Sequence, residues 1–273
     1  MQHLTQLALA YRSTKKEENA EEIIKQIADW ILINRYKFGV NWRCTMDGAI
    51  RVTNWVLAIN LIKDYISNLP SEGKEHFYKI FYKSLYQHGD FIIHNLEWSE
   101  DLTSNHYLSD IAGLLVLAVF TKNVFKEAGE WKELAIKELK KEMFKQVYPD
   151  GTDFEASTCY HRLVLELFFY STFFVIQSEK YKVENKKKDI LSSANDYKTI
   201  AEKIFGKDYV DRLYKMFDAI LYLLKPNGRM PQIGDNDNGQ FIKLYPREVL
   251  DMRYLLALGA VFFKEPKWKI KIS

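Results

Sequence analysis

Three polar clusters hold the side chains best suited to chemistry. The densest is Asp150-Gly151-Thr152-Asp153-Phe154-Glu155-Ala156-Ser157-Thr158-Cys159-Tyr160-His161-Arg162. It follows a Pro-Asp-Gly turn signal and leads into a strongly apolar run. Tyr160 here can move a proton, with Arg162 or His161 lowering its pKa. Tyr160 and His161 are adjacent, so on a helix they diverge by about 100° and cannot both face one cleft squarely. The alternative is a capped helix with a tyrosine edge and an Arg–Glu pair.

The second cluster is Ser104-Asn105-His106-Tyr107, with Asp110 and Gly113 beyond. Asn105 and His106 open a helix whose free N–H groups favour an anion, so an amide and an imidazole could neutralise a carboxylate there. Equally, Asn105 could be a plain N-cap and His106 a surface residue. The third cluster, Gly228 to Gly239, contains Asp235, Asn236, Asp237 and Asn238. It lacks the terminal Glu of an EF-hand, so that motif is rejected. Either it is a rigid loop whose Asp235 and Asp237 orient other groups, or it is turn chemistry alone. Asn41-Trp42 and Trp55 could stack on sugar faces or sit in the core.

Helices must position these groups. Near-3.6 spacing of apolar residues predicts about nine helices of roughly 15–25 residues. They fall at 1–12, 18–35, 46–65 (capped by Thr45), 74–97, 105–125, 130–147, 160–180 (capped by Ser157 or Thr158), 209–224 and 249–263. Residues 226–245 read as a structured loop, and the Lys- and Asn-rich stretch 181–198 as a mobile insertion. No strand alternation is strong enough for a sheet and no repeat of 34 or 40 residues is found, so a helical toroid stands ahead of a solenoid.

Composition agrees. The 273 residues are 47% hydrophobic and 27% charged, with only 12 Gly and 6 Pro, which favours helices over a many-turned β protein. A net charge of +3 without a basic stripe argues against nucleic acid, yet suits an anionic ligand. Cys44 and Cys159 fit no metal spacing and no disulfide framework and read as buried thiols. The N-terminus has no signal-peptide pattern. Residues 163–177 are very apolar but carry Glu166 and are shorter than a span needs, so they read as a core helix.

In order, four segments resemble the heparinase II/III family. They are Gly39–Trp42 with Asp47–Trp55; Ser104–Leu108 with Ala112-Gly113-Leu114; Asp150–Glu155 with Ser157 and Tyr160-His161-Arg162; and Pro231–Asp237 with Gly239. The resemblance implies an all-α, incomplete (α/α) toroid over residues 1–273, followed in complete members by a β-sandwich region absent here, as if the chain were truncated at both ends. It also implies cleavage of an acidic polysaccharide, glycosaminoglycan-like or alginate-like, by β-elimination, with no cofactor or metal and a periplasmic or cell-surface location. Carried over by motif, Tyr160 is base and acid, Asn105 neutralises the uronate carboxylate, and His106 and His161 support them. Arg162, Glu155, Asp235, Asn41 and Trp42 contact or orient substrate.

That chemistry is coherent. The C5 proton of a uronate is too weakly acidic to leave while the carboxylate keeps its full charge, so a donor must stabilise the developing enolate. Two other functions remain open from the sequence. A glycoside hydrolase on a related helical toroid would pair Asp153 or Glu155 with Asp235. A glycan-binding domain or helical scaffold would use the same surface without turnover.

Overall fold

Eleven α-helices and two short 3₁₀ turns account for the regular structure among the described residues, 1–184 and 196–269 of this computed structural model. The helices are α1 (His3–Thr14), α2 (Glu17–Ile33), α3 (Thr45–Leu61), α4 (Lys63–Ser67), α5 (Ser71–His94), α6 (Asn105–Thr121), α7 (Ala128–Gln146), α8 (Thr158–Glu184), α9 (Tyr197–Phe205), α10 (Lys207–Leu223) and α11 (Arg253–Phe262). Among the described residues there is no strand, only an isolated bridge between Val147 and Asp153. The all-α expectation holds. Of the stretch 181–198 expected to be an insertion, residues 185–195 lie outside the described residues.

Three features depart most from the spacing. The helix expected over 46–65 breaks at Ile62, where ψ is 16°, and resumes as α4. The final helix starts at Arg253 rather than 249, because Met230 N donates to Leu250 O and ties that segment into the loop. Helix α9 was not expected at all.

Contacts divide the described residues into two units. The first comprises residues 1–98, 109–132 and 241–246. Its helices α1, α2, α3 and α5 pack on one another around Trp55, Phe81 and His88, all fully buried. Two glycines make the packing possible. A Cβ on Gly113 would lie 2.6 Å from Ala49 Cβ and 2.8 Å from Ala49 O, and one on Gly89 would lie 2.4 Å from the Trp131 ring.

Arg51 is the unusual member of this core. Its Nε donates to His88 Nε2 at 3.0 Å, its Nη2 donates to Asn41 O at 3.0 Å, and its guanidinium lies 4.2 Å from the Trp30 ring. His88 Nδ1 faces Ser84 O at 2.7 Å, so the neutral ring donates there and accepts from Arg51. Burial, then the Arg51 charge, pulls His88 down to about 3. Nearby, Glu97 Oε1 accepts Thr45 N at 2.8 Å and Met46 N at 3.1 Å. Glu97, not the expected Thr45, therefore serves the free N–H groups that open α3. Cys44 is half-buried, contrary to expectation, and burial pushes its thiol up to about 11.

The second unit comprises residues 99–108, 133–240 and 247–273. Its centre is α8. By length and composition Thr158–Lys180 is apolar enough to cross a membrane, which corrects the expectation that this apolar run is shorter than a span needs. Of its most apolar window 83% is buried in the fold, and a core role accounts for that composition. Glu166, fully buried in α8, accepts a hydrogen bond from the Tyr254 hydroxyl of α11, which meets the need of a buried carboxylate. Gly151, at φ 95°, lets the turn before α8 touch α10: a Cβ there would lie 2.3 Å from Lys215 O.

Candidate active site

The start of α8 organises the second unit's polar groups. Ser157 Oγ accepts Cys159 N at 3.2 Å and Tyr160 N at 3.3 Å, so Ser157 is the cap of this helix. It also donates to Asp235 O at 2.8 Å. Thr158 N donates to Ile233 O at 3.0 Å, and Thr158 Oγ1 donates to Pro231 O at 3.0 Å. Two sequence clusters 75 residues apart are thereby joined. Gly234 is required at the junction, since its φ is 65° and a Cβ would lie 2.6 Å from Ala156 O.

Arg162 locks the same loop from beneath. It is 1% exposed, and its guanidinium donates to the main-chain carbonyls of Asp237 (2.8 Å), Gly239 (3.0 Å) and Val249. The expectation of a substrate-contacting arginine meets a different placement: these carbonyls hold its Nη1 and Nη2 inside the fold. His161 is also turned inward. It is buried, its Nε2 lies 3.1 Å from Met216 O, and burial holds it down to about 4, so it is neutral at physiological pH.

Tyr160 is half-buried, and among the described residues its hydroxyl has no hydrogen-bond partner. Its pKa is raised, first by burial and then by the charges of Asp237, Asp235 and Glu155. This reverses the expectation that Arg162 or His161 would lower it: one is spent on carbonyls and the other is neutral, while the carboxylate charges act against ionisation of the phenol. Asp235 and Asp237 are exposed, and the Asp237 carboxylate accepts the Gly239 amide.

Asn105 stands at the start of α6 and is 5% exposed. Glu155 holds it by three contacts. Oε1 accepts Asn105 N at 3.0 Å and Nδ2 at 2.9 Å, and Oε2 accepts Nδ2 at 2.9 Å. Ser104 Oγ accepts His106 N at 3.4 Å, and His106 is exposed. Below this, Gln146 Nε2 donates to Ser104 O at 3.1 Å and to Glu142 Oε2 at 2.7 Å, and Thr103 Oγ1 donates to the same oxygen at 2.6 Å. Glu155 N donates to Asp153 Oδ2 at 3.1 Å. Asp153 is 4% exposed and its carboxyl is raised to about 7 by burial and by the Glu155 charge.

The second unit thus holds Tyr160, Asn105, His106, Glu155 and Asp235, with Asn105 bound to Glu155 and with Arg162 and His161 buried in the fold. Asn41 and Trp42 belong to the first unit. Asn41 is exposed, and its Nδ2 donates to Asn34 Oδ1 at 2.6 Å. Trp42 is 5% exposed and packs against Trp30, Tyr36, His88 and Phe91, which makes it a core residue without an open face for a sugar. Two partnerships escaped sequence reasoning, the Glu155 grip on Asn105 and the Arg162 grip on the loop. Neither has a local signal, because each joins residues 50 or more positions apart.

Solved structures share this arrangement of helices. A heparan sulfate lyase from Pedobacter heparinus superposes with a TM-score of 0.62 at 22% identity, over 95% of this chain and 35% of that one. A structure of heparinase III gives a TM-score of 0.63 at 18% identity, over 96% of this chain and 36% of that one. The fold is therefore the helical toroid fold of the heparinases. Residues 1–252 match the family described as Heparinase II/III N-terminus, and the chain belongs to that family. The heparin-sulfate lyase of Pedobacter heparinus is 25% identical over 236 residues, 84% of this chain and 31% of that protein. The chain spans about a third of the length of these relatives.

Proposed function

We propose that this chain is the helical part of a polysaccharide lyase that breaks uronate-containing acidic chains by β-elimination. One observation carries the reading. Glu155 holds one of the two groups the reaction needs, since its carboxylate accepts the Asn105 amide at 2.9 Å, and the other, Tyr160, stands five positions further on in the first turn of α8. The heparan and heparin sulfate lyases among its relatives support an acidic glycosaminoglycan as the substrate class.

In this reading Asn105 and His106 take the uronate carboxylate at the start of α6, where the helix dipole also favours negative charge. Neutralising that charge stabilises the enolate that forms as the C5 proton leaves. The tyrosinate form of Tyr160 accepts that proton. The C5–H electrons then form the C4–C5 double bond, the C4–O4 bond breaks, and Tyr160 returns the proton to O4. The raised Tyr160 pKa keeps the phenol protonated at neutral pH, so the rate of proton abstraction rises with pH. Arg162 and His161 serve as supports rather than reacting groups. The hydrolase reading fits less well, because Asp153 is 4% exposed and its Oδ2 is bound to the Glu155 amide.

The test is ultraviolet absorbance of the unsaturated uronate, with this chain incubated with heparan sulfate, heparin and alginate beside Tyr160→Phe. Absorbance that rises for the native chain and not for the variant is expected. Equal traces from both, or a flat trace from the native chain on every polysaccharide, contradict the reading.

A further inference from the structure

The Asn105 amide cannot serve a ligand as it stands, because Glu155 already accepts its Nδ2 through both carboxylate oxygens. These are charge-assisted bonds, roughly twice as strong as neutral ones. A carboxylate on this amide is also the interaction a uronate would make. Glu155 sits on a segment built to hold it in one place. Its own N–H is held by Asp153 Oδ2 at 3.1 Å, and Ala156 N donates back to Asp153 O at 3.3 Å. The next residue, Ala156, is exposed and has φ 55°, a left-handed conformation that a residue with a Cβ adopts at a cost. A change of backbone at Ala156 relieves that cost and moves Glu155. Asp153, which holds the Glu155 N–H, and Glu142, which accepts from Thr103 and Gln146, are themselves buried.

We infer that Glu155 is an internal stand-in for the substrate carboxylate, a latch that occupies the Asn105 amide in the free protein and is exchanged for the uronate on binding. The inference rests on the proposed role of Asn105 and deepens it. Glu155 then sets selectivity: a ligand gains the Asn105 amide only if its own acceptor competes with a carboxylate. Acidic sugars meet that condition, whereas neutral sugars, whose hydroxyls are weaker acceptors, do not.

Glu155→Gln tests this. The neutral amide oxygen can still accept from Asn105, so the start of α6 keeps its partner while the competing charge is gone. The probes are a size-defined heparan sulfate oligosaccharide and its carboxyl-reduced counterpart, titrated calorimetrically, with the Asn105 side-chain amide followed by nitrogen NMR. The expected result is binding of the acidic oligosaccharide tightened on the order of tenfold in Glu155→Gln. The reduced oligosaccharide should gain relatively more, and the Asn105 amide resonance should move on saturation in the native chain. Equal or weaker binding by a folded Glu155→Gln overturns the latch while leaving the site itself standing. Should that variant not fold, an Asn105 amide resonance in the native chain that stays still at saturation overturns the latch alone. Absence of binding by every protein removes the proposed site and the latch with it.

Discussion

Replacing Arg162 with Met should loosen the loop that carries Asp235 and Asp237 far more than it harms the helices. The side chain is 1% exposed and donates to three main-chain carbonyls, those of Asp237, Gly239 and Val249. Methionine fills much of the volume but offers no donor. A buried carbonyl left without a partner costs about 1–3 kcal/mol. Asp237 is an exposed residue, so water can reach part of this loop, and the lower end of the range applies. Three carbonyls then give about 3 kcal/mol of local destabilisation, or roughly a hundredfold in the opening equilibrium. Amide hydrogen exchange reads this directly. The amides of Met230, bound to Leu250 O, and Thr158, bound to Ile233 O, report on the loop, and those within α10 serve as controls. Exchange at Met230 and Thr158 should quicken by about two decades against unchanged α10 amides. Exchange that changes by less than about threefold would refute the claim that Arg162 is the keystone of the loop.

Two further outcomes are expected. Gly113→Ala should destabilise the first unit by about 2 kcal/mol or more, seen as a lower midpoint in thermal unfolding, because the new methyl meets the backbone of Ala49 at 2.8 Å or less. Stability should also fall between about pH 6.5 and 8. Asp110 and Asp153, raised to about 8 and about 7 by burial and then by the Glu97 and Glu155 charges, hold their protons in the folded state, so their contribution is complete below about pH 4 and lost as pH rises through 7 to 8. His88 and His161, lowered to about 3 and about 4, contribute fully above about pH 6.5 and lose that contribution as pH falls. The pairs offset one another in mild acid, so the decline appears on the alkaline side, and Asp110→Asn should flatten it in melting curves taken across that range.

Helical periodicity made most of this fold legible. The long apolar faces of α5, α6, α8 and α10 could be placed from spacing, as could the Pro149-Asp150-Gly151 turn. Helix α9 was hidden. Tyr197, Ile200, Ala201, Ile204 and Phe205 follow helical spacing, and Asp196 accepts Thr199 Oγ1 at 2.7 Å, but the polar run before them masks the pattern. The break at Ile62 has no Gly or Pro to announce it. At the site, residue types drew attention to the right segments and misled about roles. Arg162 and His161 read as groups serving a ligand because they adjoin Tyr160 in the cluster that carries the family resemblance. Their burial depends on what the loop and α10 supply, which no local pattern carries. The same holds for Glu155, whose partner Asn105 lies 50 residues earlier.

The proposed reaction is decided most directly by where oxygen goes. Heparan sulfate would be digested with this chain in water enriched in heavy oxygen, and the products weighed by mass spectrometry. Elimination at the Tyr160–Asn105 site predicts a new non-reducing end lighter by one water, with no heavy oxygen gained at the broken linkage, and no product from Tyr160→Phe. Saturated products carrying heavy oxygen at the cleaved bond would contradict the account and return the carboxylates Asp153, Glu155 and Asp235 to the centre of a hydrolytic mechanism.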